Sequence, residues 1–159
     1  ALAGKKNDIK LIFVGKDDYF MKKLRTKVAK RKMENIIFLG EITDQELQGL
    51  YSKAIALVSP SLMEGFGLPT VEAMAAKCPV VVSDIPAYRE VVGDAGVYFD
   101  PNSISDIAEK LMNTYSMSHD EKEKKITNGL SRVKEFSWKK MAEQTLRIYE
   151  DCLGVRSGK

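Results

Sequence analysis

The sequence predicts an α/β fold, in which a parallel sheet of about five strands is covered by helices on both faces and followed by a helical C-terminal segment. Three observations predict it. Short apolar, mainly β-branched runs alternate with segments of helical periodicity up to residue 99. These runs are apolar at successive positions, as expected for parallel strands buried on both faces. Beyond residue 99 the strand-like runs stop, while helical periodicity continues.

Each predicted strand is a short apolar run, and several of them end at a turn-forming residue. Gly15 closes the first run, Gly40 closes the second, and Asp100-Pro101 closes the fifth. Their alternation with helices predicts Rossmann-like connections, with ligands binding beyond the carboxyl ends of the strands. The predicted strands cover residues 9–14, 35–39, 55–58, 79–82 and 97–99.

The helices are predicted from apolar spacing and from capping residues. Thr43, with Glu46 three residues later, forms a capping box. Ser137 is predicted to cap the last helix, whose inward stripe would consist of Met141, Thr145, Ile148, Tyr149 and Cys152. The predicted helices cover residues 18–33, a segment opened by Thr43, residues 69–77, a short segment from Pro86 to near Gly93, and residues 103–116, 119–135 and 137–152.

Length and composition indicate one folded domain of a reducing compartment. We expect a flexible start at 1–8, a folded domain at 9–153 and a flexible tail at 154–159. Cys78 and Cys152 lie far apart, and His119 is the single histidine. This argues against a disulfide framework, a metal site and Ser-His catalysis. The apolar stretches are too short to span a bilayer.

The net charge is +3, and lysines and arginines crowd residues 22–32. The favoured interpretation is a solvated helix face, with Met21, Leu24 and Val28 turned inward. The alternative is a surface that binds an anionic partner. Because no aromatic residue interleaves with these bases, the segment does not indicate a stacking platform for nucleic acid.

The loop after the third strand carries the most chemical information. Residues 64–72 place two glycines around one aromatic, directly before a predicted helix: Glu-Gly-Phe-Gly-Leu-Pro-Thr-Val-Glu. Glycines allow a tight turn and close approach of a ligand. The amides of Gly67, Leu68, Thr70 and Val71 would be free at the positive end of the helix dipole, which suits a diphosphate.

Two carboxylates, Glu64 and Glu72, bracket this anion site. Carboxylates repel phosphate but accept charge-assisted hydrogen bonds from sugar hydroxyls. The combination predicts a ligand with both phosphate and sugar, a nucleotide sugar. Taken singly, Glu72 could complement the helix dipole, Glu64 could be a solvated loop residue, and the glycines could serve the turn alone.

Residues 64–72 resemble the E-x7-E motif of the retaining glycosyltransferases of family 4. The resemblance extends over about residues 9–150 and includes Ser59-Pro60-Ser61, Phe38-Leu39-Gly40 and Ala95-Gly96-Val97. It implies the C-terminal donor-binding domain of a two-domain GT-B enzyme. It also implies roles for single residues. Glu64 would be the catalytic residue at the donor sugar, and Glu72 would bind the ribose. Backbone contacts would come from Gly65, Phe66, Gly67 and Leu68, and contacts with the base or diphosphate would lie near Ile42, Asp44 and Gly15.

The resemblance further implies hexose transfer to a glycan or lipid acceptor, as in polysaccharide assembly, with no metal or other cofactor and no nucleic-acid partner. We expect a cytoplasmic enzyme. Peripheral attachment at the inner face of a membrane is the alternative. The acceptor-binding N-terminal domain, and the segment that carries the diphosphate-binding Arg and Lys of the family, are absent from the chain. We therefore expect the chain alone to be inactive. Lys77 and Asp17 stand where the family often has glycine.

Two alternatives remain open at this point. One is a GT-B relative with other chemistry, such as a sugar-nucleotide epimerase or a phosphorylase. A phosphorylase would need a pyridoxal-binding lysine, and no lysine has a persuasive context. The other is a non-catalytic α/β module that binds partners through residues 22–32.

Overall fold

The computed structural model describes residues 9–154, which contain five strands and seven α-helices. A single 3₁₀ turn, Gly93–Ala95, precedes the last strand. The predicted flexible start, 1–8, lies outside the described residues, and so does the predicted tail, 154–159, apart from Gly154. In chain order the elements are β1 (Leu11–Val14), α1 (Tyr19–Lys30), β2 (Ile36–Gly40), α2 (Asp44–Lys53), β3 (Leu57–Ser59), α3 (Leu68–Ala75), β4 (Val80–Ser83), α4 (Pro86–Val92), β5 (Gly96–Phe99), α5 (Ile104–Tyr115), α6 (His119–Val133) and α7 (Trp138–Leu153).

All the strand pairs are parallel, as the alternation of strands and helices predicts. The strands are divided between two sheets, one of β1 and β2 and one in the order β3-β4-β5. Val80 at the start of β4 lies opposite Leu57 of β3 on one side and Gly96 of β5 on the other. The division was not visible in the sequence, because hydrophobic periodicity identifies strands and not their neighbours.

The core is centred on β4 and the helices next to it. Val81 and Val82 are fully buried, and Tyr88 of α4 and Phe99 of β5 are each 1% exposed. β1 behaves differently, since Leu11 is 43% exposed. The expectation that the first strand is buried on both faces is therefore wrong within this chain. What places the loop before α3 is the well-packed sheet of β3, β4 and β5.

The predicted helix caps are confirmed. The Thr43 hydroxyl accepts from the Glu46 amide at 3.3 Å, and a Glu46 carboxylate oxygen accepts from the Thr43 amide at 2.8 Å. The Ser137 hydroxyl accepts from the Lys140 amide at 3.4 Å. Lys77 takes the left-handed conformation, with φ 62°, that a glycine would adopt more easily at this helix end.

The expected inward stripe of α7 is wrong. No residue of this helix is buried, and Met141, Ile148 and Tyr149 are 51%, 62% and 62% exposed. Spacing predicts which residues share a face, but burial needs a packing partner, and no described element covers this face. No helix within residues 9–154 has the length and apolar character needed to cross a bilayer.

Candidate functional site

The motif loop joins β3 to α3 at the carboxyl end of β3. Gly67 is the N-cap of α3 and has φ 90° and ψ 53°, a left-handed conformation. A Cβ at this position would lie 2.5 Å from a ring carbon of Tyr88. Glycine is therefore required at this position for two reasons, the left-handed backbone angle and the close approach of the Tyr88 ring. Gly65 is different, because its backbone is not left-handed and an added Cβ would meet open space.

The tip of α3 presents fewer free amides than the sequence predicted. The Thr70 amide donates to the Gly67 carbonyl at 2.9 Å, and the Thr70 hydroxyl donates to the same oxygen at 2.7 Å. Thr70 is fully buried, so these bonds fix the first turn rather than face a ligand. The Gly67 and Leu68 amides start the helix, where no preceding turn offers them a carbonyl. They are the donors that could meet an anion.

Glu64 lies exposed in the loop and is held by hydroxyl groups. Ser61 donates to its Oε1 at 2.8 Å, and the Tyr88 hydroxyl donates to the same oxygen at 3.4 Å. The Tyr88 hydroxyl also lies 2.5 Å from the Ser59 hydroxyl. Residues from β3, the loop and α4 thus orient one carboxylate oxygen, while the exposed side chain can meet a ligand. The sequence analysis did not identify Tyr88.

Glu72 lies on α3, and like Glu64 it accepts a hydrogen bond from a tyrosine hydroxyl. The Tyr51 hydroxyl, from α2, donates to its Oε2 at 3.5 Å. Tyr51 is 8% exposed. Burial, and secondarily the negative charge of Glu72, raise the pKa of Tyr51 to about 12, so its hydroxyl stays a donor at neutral pH. Nothing local in the sequence linked Tyr51 to Glu72.

Phe66 and Leu68 line the loop with apolar surface. Phe66 is 37% exposed and packs edge-on against Phe136, with ring centroids 5.2 Å apart. Leu68 is 47% exposed at the first position of α3. Phe136, which precedes α7, therefore fixes the loop from outside the motif. This contact was not predicted.

The remaining predicted site residues form a second group, in the β1–β2 sheet and the start of α2. The Gly15 amide donates to the Gly40 carbonyl at 2.9 Å, so the ends of β1 and β2 are adjacent. Ile42 follows this turn half-buried, and Asp44 is the exposed first residue of α2. The same helix carries Tyr51, which reaches Glu72 in the first group. Helix α2 therefore links the two groups.

The segment after β4 contains an arginine, Arg89, that is paired with an aspartate, Asp84. Arg89 donates to both carboxylate oxygens of Asp84 at 2.6 Å and lies over the Tyr98 ring at 3.8 Å. The hydrogen bonds from Arg89 lower the pKa of Asp84. Because Asp84 and Tyr98 engage Arg89, this guanidinium is held against the protein. The sequence analysis did not identify this pair.

The comparisons with known proteins agree with this geometry. The family described as "Glycosyl transferases group 1" matches residues 1–132. The O-antigen chain mannosyltransferase B of Escherichia coli is 40% identical over 116 residues, which is 72% of this chain and 30% of that protein. The C-terminal domain of the group 1 glycosyl transferase LpcC from Francisella tularensis superimposes with a TM-score of 0.70 at 32% identity, covering 84% of this chain and 72% of that one.

A third comparison concerns the fold. Anabaena HepE, solved in complex with UDP and glucose, superimposes with a TM-score of 0.80 at 22% identity, covering 94% of this chain and 42% of that one. The α/β fold class and its GT-B assignment are confirmed, and the epimerase and binding-module alternatives are not favoured. The chain spans less than a third of the length of the E. coli mannosyltransferase. The matched family and the fold lead to one conclusion: the chain belongs to the glycosyl transferases group 1 family.

Proposed function

We propose that this chain is the donor-binding domain of a retaining, family 4-type glycosyltransferase, which transfers a hexose from a nucleoside diphosphate sugar to a glycan or lipid acceptor. One observation carries the proposal. A left-handed glycine, Gly67, opens α3 between two carboxylates, and each carboxylate is oriented by a hydroxyl donor. An anion-binding helix start between two hydroxyl-binding groups matches a sugar diphosphate.

The diphosphate would lie against the start of α3. The Gly67 and Leu68 amides point away from the helix interior, and the helix dipole adds positive potential there. The missing side chain at Gly67 lets the phosphate oxygens approach the backbone. Preorganised amides stabilise the charge that develops on a leaving diphosphate without reorganising during the reaction. We therefore propose that transfer needs no metal, and we expect activity to persist in the presence of a chelator.

Glu64 would accept hydrogen bonds from hydroxyls of the donor sugar. The Ser61 and Tyr88 hydroxyls restrict its rotation, so the sugar would be held in one orientation. Glu72 would accept from the ribose diol while Tyr51 donates to its other side. Each carboxylate has two oxygens, and one oxygen of each stays available to the ligand.

The base would lie toward the second group of residues. Ile42 and Asp44 flank the Thr43 cap at the start of α2, and Gly15 is next to Gly40 in the same turn region. Helix α2 connects this region to Tyr51 and so to the ribose end of the site. A nucleotide placed along α2 would therefore extend from the base contacts to Glu72.

The donor sugar is proposed to be mannose, because the E. coli relative is a mannosyltransferase. The acceptor would bind a further domain of the full-length protein, in keeping with the small share of that relative that the chain spans. We propose a role in polysaccharide assembly in the cytoplasm. Because positioning of the acceptor accounts for much of the rate, the chain alone would be inactive.

The test is a thermal melt of the full-length protein with GDP, UDP and ADP. A ligand at about 100 times its Kd stabilises its site by about 2.7 kcal/mol, which raises Tm. We expect one nucleotide to raise Tm, and Glu72→Gln to lose most of this shift. The matched control is Glu123→Gln, an exposed carboxylate on α6, which should keep the shift. Equal shifts in both variants, or no shift with any nucleotide, would contradict the proposal.

A further inference from the structure

The outward face of α1 is not explained by nucleotide binding. The inner face is identified by Arg25, whose guanidinium lies 4.7 Å from the Phe38 ring of β2, and by three half-buried residues, Met21, Leu24 and Val28. These inner residues recur at helical spacing, so residues between them point to the opposite side. No residue of α1 is buried.

The opposite side of α1 is basic. We call it the basic face of α1, and it consists of the exposed residues Lys22, Lys23, Lys27 and Lys30. Arg31 and Lys32 follow at the helix end and are also exposed.

The nearby acids, Asp17, Asp18 and Glu34, are three against the six basic residues just named, so they offset only part of this charge. Asp17 pairs with Arg25 at 3.3 Å, and Asp18 accepts from the Met21 amide at 2.8 Å as the N-cap. The basic face of α1 therefore carries unbalanced positive charge.

Two exposed aromatic residues adjoin this charge at the first turn of α1. Tyr19 is 70% exposed and Phe20 is 75% exposed, and their rings meet edge-on with centroids 5.5 Å apart. Lys23 Nζ lies 5.9 Å from the centre of the Tyr19 ring. Large exposed aromatics beside lysines are typical of surfaces that enter the headgroup region of a bilayer. The sequence favoured a solvated helix face, and the exposure of these two rings changes that interpretation.

We propose that the basic face of α1, with Tyr19 and Phe20, docks this domain on an anionic membrane surface. Lysines near a negatively charged bilayer contribute electrostatic attraction, and aromatic side chains insert between headgroups. A single-stranded nucleic acid is less suitable as the partner, because its bases need stacking rings spaced along the basic track. Here both rings are adjacent at one end of the helix. The inference does not depend on the identity of the nucleotide donor.

The test is co-sedimentation of the full-length protein with vesicles of phosphatidylcholine, with and without phosphatidylglycerol. One variant carries Lys23→Glu, Lys27→Glu and Lys30→Glu, and a second carries Tyr19→Ser and Phe20→Ser. The matched control has the same change of net charge at exposed lysines elsewhere: Lys124→Glu, Lys134→Glu and Lys140→Glu. Circular dichroism of each variant checks that it is folded, and a fluorescent single-stranded RNA is the competing ligand.

We expect the native protein to bind vesicles that contain phosphatidylglycerol, and added salt to weaken this binding. At about fivefold for each of the three lysines, the charge variant should bind about a hundredfold more weakly than the control. The aromatic variant should bind more weakly than the native protein at the same salt concentration. Equal binding of the charge variant and the control, binding without preference for anionic lipid, or tighter binding to the RNA than to the vesicles would overturn the proposal.

Discussion

At the scale of single residues, Gly67 and Tyr88 depend on each other. The ring of Tyr88 occupies the space that a side chain at Gly67 would need, and its hydroxyl contacts Ser59 and Glu64. The packing that fixes the turn thus also orients the carboxylate. A change at Gly67 should therefore affect both stability and the site.

We expect Gly67→Ala to lower the free energy of unfolding by about 2–5 kcal/mol. The left-handed angle costs about 1–2 kcal/mol, and the clash with Tyr88 adds about 1–3 kcal/mol. Gly65→Ala is the matched control and should change stability by less than about 0.5 kcal/mol, because it meets open space. Urea denaturation measures both. Equal effects of the two substitutions would show that the Tyr88 ring does not constrain Gly67.

Tyr51 should make stability depend on alkaline pH. Its pKa is raised from the ordinary value of 10 to about 12, so the unfolded chain loses this proton first as pH rises. Its contribution is fully present below about pH 10 and is lost as pH rises toward 12. Tyr51→Phe should therefore flatten the fall of stability in this window, measured by urea denaturation at several pH values. Burial raises the pKa of Cys78 to about 11, so this thiol also contributes to the fall of stability in the same window. The difference between the native protein and Tyr51→Phe isolates the contribution of Tyr51. An unchanged slope would contradict the expectation.

At the scale of elements, α2 is the helix on which both groups of site residues depend. Its start is fixed by the Thr43–Glu46 capping box, and its far end carries Tyr51. The hydrogen bonds from Thr43 lower the pKa of Glu46, so the cap weakens as pH falls through that lowered value. A loosened cap would shift the region proposed to meet the base.

We expect Thr43→Ala to lower the free energy of unfolding by about 1 kcal/mol at neutral pH, as removal of an N-cap typically does. Thr26→Ala is the control, because the Thr26 hydroxyl bonds to the Lys22 carbonyl within α1 and caps no helix end. Thermal and urea denaturation of both variants give the comparison. An effect of Thr26→Ala as large as that of Thr43→Ala would mean that the cap has no special role.

At the scale of the whole molecule, burial is uneven. β4 is fully buried, while β1 has exposed apolar residues and α7 has no buried residue. Local openings cost less free energy where few apolar contacts must be broken. We therefore expect amide hydrogen exchange to be slowest in β4, faster in β1 and β2, and fastest in α7. Mass spectrometry of the chain resolves these segments, and protection of β1 equal to that of β4 would contradict the expectation.

The sequence predicted the elements of this fold closely but not their neighbours. The predicted strand at residues 79–82 corresponds to Val80–Ser83, and the predicted helix at 119–135 corresponds to His119–Val133. These features are local, since periodicity, caps and turn glycines are encoded within a few residues. The separation of β1 and β2 from the other strands depends on pairing between distant segments, which periodicity does not encode.

The sequence by itself determined the motif between Glu64 and Glu72, the need for glycine at the start of α3, and the α/β class, because each follows from residues adjacent in the chain. The tertiary structure decided which hydroxyls hold the two carboxylates and which apolar faces stay exposed. Tyr51 and Glu72 are 21 positions apart, and Tyr88 and Ser59 are 29 apart. Side chains so distant along the chain meet only when helices pack on a sheet, so no local pattern could have paired them.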